Sequence, residues 1–363
     1  MFLPLFLSLP KPFAVGRHAT EGSTYAVKGP AMPLPPALSR PLTLPVVGSP
    51  LFIASGPELV IAQCQSGVIG SFPALNARPV SLLSDWLDRI TEENAAYADA
   101  HPDAVVAPFA VNQIVHRSND RLERDMDVIV KHRVPIVITS LGARPEINDA
   151  VHSYGGTVLH DVTSDAFARK AVEKGADGII AVAAGAGGHA GTQSPFALVQ
   201  EIRDWFDGPL LMSGAIAHGR SILAALAAGA DLAYIGSAFL STTEANNPPA
   251  YKRMIVDSTA KDIVYSNLFT GVHGNYLRGS VTAAGLDPDD LPESDPSAMD
   301  FGSGGNTNAR AWKDIWGSGQ GIGAVKESRT VAELVATLKT QYDEALRGLA
   351  AKTSIHTAPA TTA

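Results

Sequence analysis

Apolar and polar positions alternate in blocks along most of this chain. Short runs rich in Val and Ile fall at residues 46–53, 68–72, 104–109, 135–140, 157–162, 178–182, 209–213 and 232–235. Each is short and apolar on successive positions, as expected of a strand buried on both faces. Between them the apolar spacing becomes helical, at 58–63, 82–98, 120–132, 145–153, 165–174, 195–205 and 220–228. Regular alternation of strand and helix predicts a parallel sheet with helical crossovers. Eight beats in about 200 residues predict a (β/α)8 TIM barrel over residues 32–242. An open doubly wound sheet is the competing architecture.

After residue 242 the rhythm stops. Asn246-Asn247-Pro248-Pro249, Thr270-Gly271-Val272-His273-Gly274 and an acidic stretch at 287–300 follow. They predict a smaller, mostly helical cap or substrate domain, residues 243–315, inserted after the eighth strand. Residues 316–350 then return to the barrel as a Gly-rich loop and an amphipathic helix. The ends read differently. Residues 1–31 are apolar at the start but interrupted by prolines, lack a charged leader and precede Met32. They are expected to be a disordered extension from an upstream start codon. The Thr-, Ala- and Pro-rich residues 351–363 are expected to form a disordered tail.

Composition narrows the class. The 363 residues are 45% hydrophobic and 18% charged, enough for a large core. A net charge of -8, without any Lys/Arg-rich run, argues against a nucleic-acid partner. The single cysteine, Cys64, excludes an intrachain disulfide framework and fits a reducing, cytoplasmic setting; it reads as a small buried residue. No apolar run approaches the ~20 residues of a membrane span. Metal-ligand spacings such as His-x-x-x-His or Cys-x-x-Cys are absent, so no metal is expected. Two similar turns, Lys174-Gly175-Ala176-Asp177 and Ala228-Gly229-Ala230-Asp231, read as helix-to-strand connections at the bottom of the barrel, without chemistry.

The chemistry gathers at the opposite ends of the strands. The sixth run is followed by Ala183-Ala184-Gly185-Ala186-Gly187-Gly188-His189-Ala190-Gly191. Small residues there let a flat or phosphorylated group lie against the backbone. One imidazole among them suits a histidine base facing a planar cofactor. The seventh strand ends in Ser213-Gly214-Ala215, and the eighth is followed by Gly236-Ser237 at a helix start. Backbone N–H groups at two such neighbouring strand ends make an anion cradle, where barrels often bind phosphate.

These segments resemble the FMN-dependent nitronate monooxygenases, once called 2-nitropropane dioxygenases. The likeness runs from about Pro45 to Gly323. It includes Gly48-Ser49-Pro50-Leu51-Phe52 in the first strand, Phe109-Ala110-Val111-Asn112 in the third and Trp316-Gly317-Ser318-Gly319-Gln320 late in the chain. Flavin-dependent enoyl reductases share the Gly-Gly-His element. The resemblance implies FMN, with Pro50, Leu51 and Phe52 along the ring and Asn112 at its edge. Gly187 and Gly188 would lie beside it. Ser213, Gly214, Ala215, Gly236 and Ser237 would hold the phosphate, and Gln320 would touch the ring from the last loop. His189 would remove the proton alpha to a nitro group and, as imidazolium, attract the nitronate. Two departures stand out. Gly185-Ala186 replaces the family's frequent Glu-Ala, and His160-Asp161 stands where many members carry Lys near the flavin, so His160 is expected at the cofactor.

The implied reaction is oxidation of an alkyl nitronate, or a nitroalkane, by O2 to a carbonyl compound and nitrite. Three alternatives stay open: an NAD(P)H-dependent FMN reductase of quinones or enoyl thioesters, a non-flavin barrel that binds a sugar phosphate or nucleotide, and a non-catalytic flavin-binding barrel. Tyr265, His273 and Arg278 are candidates for the substrate entrance, Arg278 for an anionic group. A homodimer is one assembly the sequence leaves open. His101, His116, His132 and His152 read as surface residues.

Overall fold

The computed structural model describes residues 33–294 and 314–356. The expected extension 1–31 lies outside the described residues, as does most of the expected tail.

Eight parallel strands form the barrel: β1 (Val46–Gly48), β2 (Gly70–Pro73), β3 (Phe109–Ile114), β4 (Ile136–Ser140), β5 (Thr157–Val162), β6 (Gly178–Val182), β8 (Leu210–Ser213) and β9 (Leu232–Ile235). The order in the sheet is β1-β9-β8-β6-β5-β4-β3-β2. A parallel bridge between Val47 and Ile69 joins β1 to the chain entering β2 and closes the ring. Helices α1 (Pro57–Gln65), α2 (Leu82–Ala100), α3 (Leu122–Lys131), α4 (Pro145–His152), α5 (Asp165–Glu173), α6 (Pro195–Arg203) and α7 (Gly219–Ala227) cover the outside. Prolines open α1, α4 and α6, where a missing N–H costs no hydrogen bond.

The strands have two apolar faces, which is why their sequences run apolar without alternation. Val47, Ile138, Leu159, Ile180, Leu211 and Leu232 fill the barrel interior. Val46, Val137, Val158, Ile179, Leu210 and Ala233 pack outward against the helices. The third strand lies five residues later than the run at 104–109. That run includes Pro108, which cannot donate to a ladder, so pairing starts at Phe109 and continues through the polar Asn112 and Gln113.

Beyond β9 come α8 (Ser237–Leu240), α9 (Pro249–Asp257), a hairpin of β10 (Ile263–Ser266) and β11 (Gly274–Leu277), and α10 (Arg278–Ala283). The hairpin pairs with a two-residue strand, β7 (Gly188–His189), in a second, three-stranded sheet. Helix α11 (Val331–His356) lies across the start of α7, and Gln341 there accepts from the Gly219 N–H. It extends six residues into the segment expected to be a tail. No helix among the described residues is long and apolar enough to cross a membrane.

Candidate active site

At the carboxyl ends of the strands, three glycine-rich loops meet on one carbonyl. The Gly185 oxygen accepts from Ala215 N–H (3.2 Å) and from Gln320 N–H (2.9 Å). Gly185 has φ of +83°, which its neighbours in that turn could not adopt cheaply. A Cβ on Gly187 would sit 2.8 Å from the Gly319 nitrogen, so these loops touch backbone to backbone. Ser237 ties in the loop after β9, its Oγ accepting from Gly319 N–H at 2.8 Å. The four segments quoted separately in the sequence are therefore one surface.

The hairpin delivers His189 to this surface. Gly274 pairs with His189 and Asn275 with Gly188. Asn275 also donates from Nδ2 to the Ala186 oxygen at 2.6 Å. His189 Nε2 lies 2.9 Å from Thr270 Oγ1, and the Thr270 hydroxyl lies 3.0 Å from the Val272 carbonyl. The Thr270 hydroxyl also accepts from Val272 N–H at 3.3 Å, so the loop fixes the oxygen that orients the ring. Desolvation pushes the His189 pKa down to about 4. At neutral pH the ring is a neutral base, and the imidazolium expected to attract nitronate is the disfavoured form.

Inside the mouth, inward positions near the ends of β3, β4 and β5 form a polar row. Asn112 Nδ2 donates to Ser140 Oγ (2.7 Å) and to the Ile138 oxygen (3.0 Å). Ser140 donates to Asp161 Oδ2 at 2.6 Å. Burial raises the Asp161 pKa to about 6, against the opposing hydrogen bond from Ser140. His160 is not part of this row, which corrects the expectation that it lies at the cofactor. Leu159 faces the interior, so its neighbour His160 must face the helices. There its Nδ1 lies 2.6 Å from Thr139 Oγ1, and burial, helped by the charge of Lys174, pushes its pKa down to about 4.

The loop after β1 closes the other side. Asn76, which the sequence did not flag, uses its whole amide there. Its Oδ1 accepts from Ile53 N–H (2.9 Å), and Nδ2 donates to the Leu51 and Ser55 carbonyls (3.0 and 2.8 Å). The clamp holds Ile53 at φ of +66° and leaves it exposed beside Pro50, Leu51 and Phe52. Leu51 borders the loop after β9: a Cβ on Gly236 would come 3.3 Å from Leu51 Cδ2 and 2.5 Å from Ser49 Oγ.

Two of the three substrate candidates are near His189. The Tyr265 hydroxyl donates to the Ala190 oxygen at 2.9 Å, and its ring stacks on His273 at 5.0 Å. Arg278 is elsewhere. It lies beyond the far end of β11 and makes two 2.8 Å bonds to Asp289, so its charge is committed. That corrects its assignment to the entrance. His218 caps α7 by accepting from Arg220 N–H. Among the described residues no group of His, Cys, Asp or Glu side chains converges as a metal site.

The cradle suits an anion. Among the described residues, the N–H groups of Gly214, Gly236 and Ser237 donate to no backbone or side-chain acceptor. They sit at adjacent strand ends, where a phosphate would supply the missing acceptors.

Comparison with known proteins gives this arrangement a family. The nitronate monooxygenase family model matches residues 74–341. Over 177 residues, 48% of this chain, the sequence is 35% identical to a Mycobacterium tuberculosis protein whose name places it among the monooxygenases. That stretch spans 46% of the relative, about half its length. A nitronate monooxygenase of Paraburkholderia phytofirmans is 26% identical, with 84% of this chain and 94% of that protein aligned. The nitroalkane oxidase from Streptomyces ansochromogenes shares the fold, with a TM-score of 0.69 and 22% identity over 84% of this chain and 97% of that one. The family match takes in the glycine-rich loops, His189 and the hairpin that holds it, and the chain is an oxidoreductase belonging to the nitronate monooxygenase family.

Proposed function

We propose that the protein binds FMN and oxidises alkyl nitronates with O2, giving a carbonyl compound and nitrite. The observation that carries this reading is His189: a desolvated, neutral imidazole fixed by Thr270 on the rim of a mouth lined by the glycine loops.

The N–H groups of Gly214, Gly236 and Ser237, with the Ser213 hydroxyl and the neighbouring Ala215, would hold the phosphate. Pro50, Leu51 and Phe52 would give the ring an apolar wall, with Gly187 and Gly188 opposite. Asn112 would offer Oδ1, because both its N–H groups are spent inside the barrel. Gln320 would reach the ring from the last loop. FMN, when bound, supplies the electron acceptor and the site of reaction with oxygen.

The chain's own part is proton transfer and positioning. Thr270 Oγ1 holds the Nε2 edge of the ring, and the neutral imidazole of His189 would take the alpha proton of a nitroalkane. A substrate already present as nitronate skips this step and needs only to bind. Tyr265 and His273 would form one wall of the entrance.

The test is a purified protein with a flavin spectrum, release of FMN on heating, and oxygen uptake with a nitronate. Recovery of FAD or of no flavin after reconstitution would refute the cofactor. Anaerobic NADH oxidation without any nitronate turnover would favour the reductase instead.

A further inference from the structure

Asp161 is the only carboxylate in the eight barrel strands, and it faces inward at the mouth. Its Oδ2 accepts from Ser140, whose oxygen accepts from Asn112. No Lys, Arg or His side chain lies within ion-pair distance of it among the described residues. The inward polar groups on the other strands are Ser140 on β4, Asn112 on β3, Ser213 on β8 and the Tyr234 phenol on β9, of which Ser140 and Tyr234 interact with Asp161 directly. Tyr234 is itself held far from ionisation by burial and by the charge of Asp161. The barrel wall therefore gives this carboxylate one hydrogen bond and no counter-charge.

We propose that Asp161 takes up a proton when the bound flavin is reduced, and so couples the reduction potential of the site to pH. This rests on the reading of the mouth as a flavin site. An isoalloxazine ring carries an N–H donor that a carboxylate can accept. Two electrons and one proton leave one negative charge on the ring. A second proton from solvent, bound by Asp161, keeps the charge of the site constant: oxidised ring, Asp161 carboxylate, two electrons and two protons become anionic reduced ring and Asp161 carboxylic acid. The electrons come from the nitronate in turnover, or from dithionite in a titration. A carboxylate in this place is easily protonated, because burial has already raised its pKa to about 6.

The test is the midpoint potential of bound FMN against pH, measured above neutrality for the parent, Asp161→Asn and Asp161→Ser, with FMN affinity measured in parallel by fluorescence. One proton per two electrons gives about 30 mV per tenfold change in proton concentration, and two give about 59 mV. The parent should show the steeper slope. Both variants should show the shallower one, and a higher potential at the alkaline end, because a fixed negative charge is gone. Equal slopes and potentials in parent and variants that all bind FMN would overturn the role of Asp161 and leave the flavin reading standing. A parent that binds no FMN would overturn both.

Discussion

The two ends of the barrel use the same residue types in different ways. At the bottom, Asp177 Oδ2 accepts from Val158 N–H (2.7 Å) and pairs with His152 (2.9 Å). Asp231 Oδ2 accepts from Leu210 N–H (2.8 Å) and from Arg203 (2.9 Å). These acids staple the start of one strand to the turn before the next, each beside a basic side chain. At the mouth, Asp161 and His189 are desolvated, and burial moves both pKa values toward the neutral form. A His and an Asp thus make a joint at one end and a candidate reactive surface at the other. The difference is that ion pairs fix their state at the bottom and burial shifts it at the mouth.

Breaking the mouth should have the largest effect. His189→Asn should lower turnover of neutral nitroalkanes by about 100- to 10,000-fold, the usual cost of losing a general base. Preformed nitronates should lose far less, as measured by oxygen uptake on both substrates. Equal losses on the two would place the role of His189 in binding. Thr270→Val removes the hydroxyl that orients the ring. Turnover of nitroalkanes should fall by up to about 100-fold, while Thr270→Ser should restore most of it. A valine variant as active as the parent would show that the hairpin does not position the base.

Asn76→Ala comes next. It removes three hydrogen bonds from the loop that carries Leu51 and Phe52. With about 1 kcal/mol for a typical bond, FMN affinity should weaken by roughly tenfold or more, read by fluorescence titration. An unchanged affinity would mean that the loop holds its shape without the clamp.

How much of this was readable in the sequence depends on distance along the chain. Strands β5, β6 and β9 lie on their apolar runs, because a buried parallel strand is continuous in sequence. The glycine loops were visible for the same reason. Thr270 is 81 residues from the ring it holds, and Asn76 is 23 from Ile53, so no local pattern marks either. His160 failed differently. A strand buried on both faces carries no alternation, so the sequence could not show which of His160 and Asp161 points inward. A hydrophobic run shows that a strand is buried, while its parity is set by neighbours that only the closed barrel supplies.

At the bottom, changes should cost stability and spare chemistry. Asp177→Ala leaves the buried Val158 N–H without its acceptor, a loss of about 1–3 kcal/mol. Denaturant unfolding should show it, with FMN affinity and turnover of the folded protein unchanged. A fall in affinity without a fall in stability would erase the distinction between the two ends.

The smallest effect belongs to His160, and it appears only in acid. Its folded pKa is about 4, below the ordinary value of 6.5, because burial disfavours the charged ring. As pH falls, the unfolded chain therefore binds this proton first. The stability contributed is present above about pH 6.5 and is lost as pH drops toward 4. His189 acts in the same direction. Asp161 opposes them, because its raised pKa lets the folded state hold a proton that the unfolded state gives up, so it destabilises as pH rises from about 4 to about 6. Between these limits one histidine offsets Asp161 and the other remains. His160→Gln keeps a polar group for Thr139 but cannot titrate. Its acid loss of stability should be smaller than the parent's by on the order of 2–3 kcal/mol, measured by denaturant unfolding at neutral pH and near pH 4. Turnover at neutral pH should not change, since the side chain faces the helices. A variant with altered turnover and the parent's acid profile would put His160 back at the mouth.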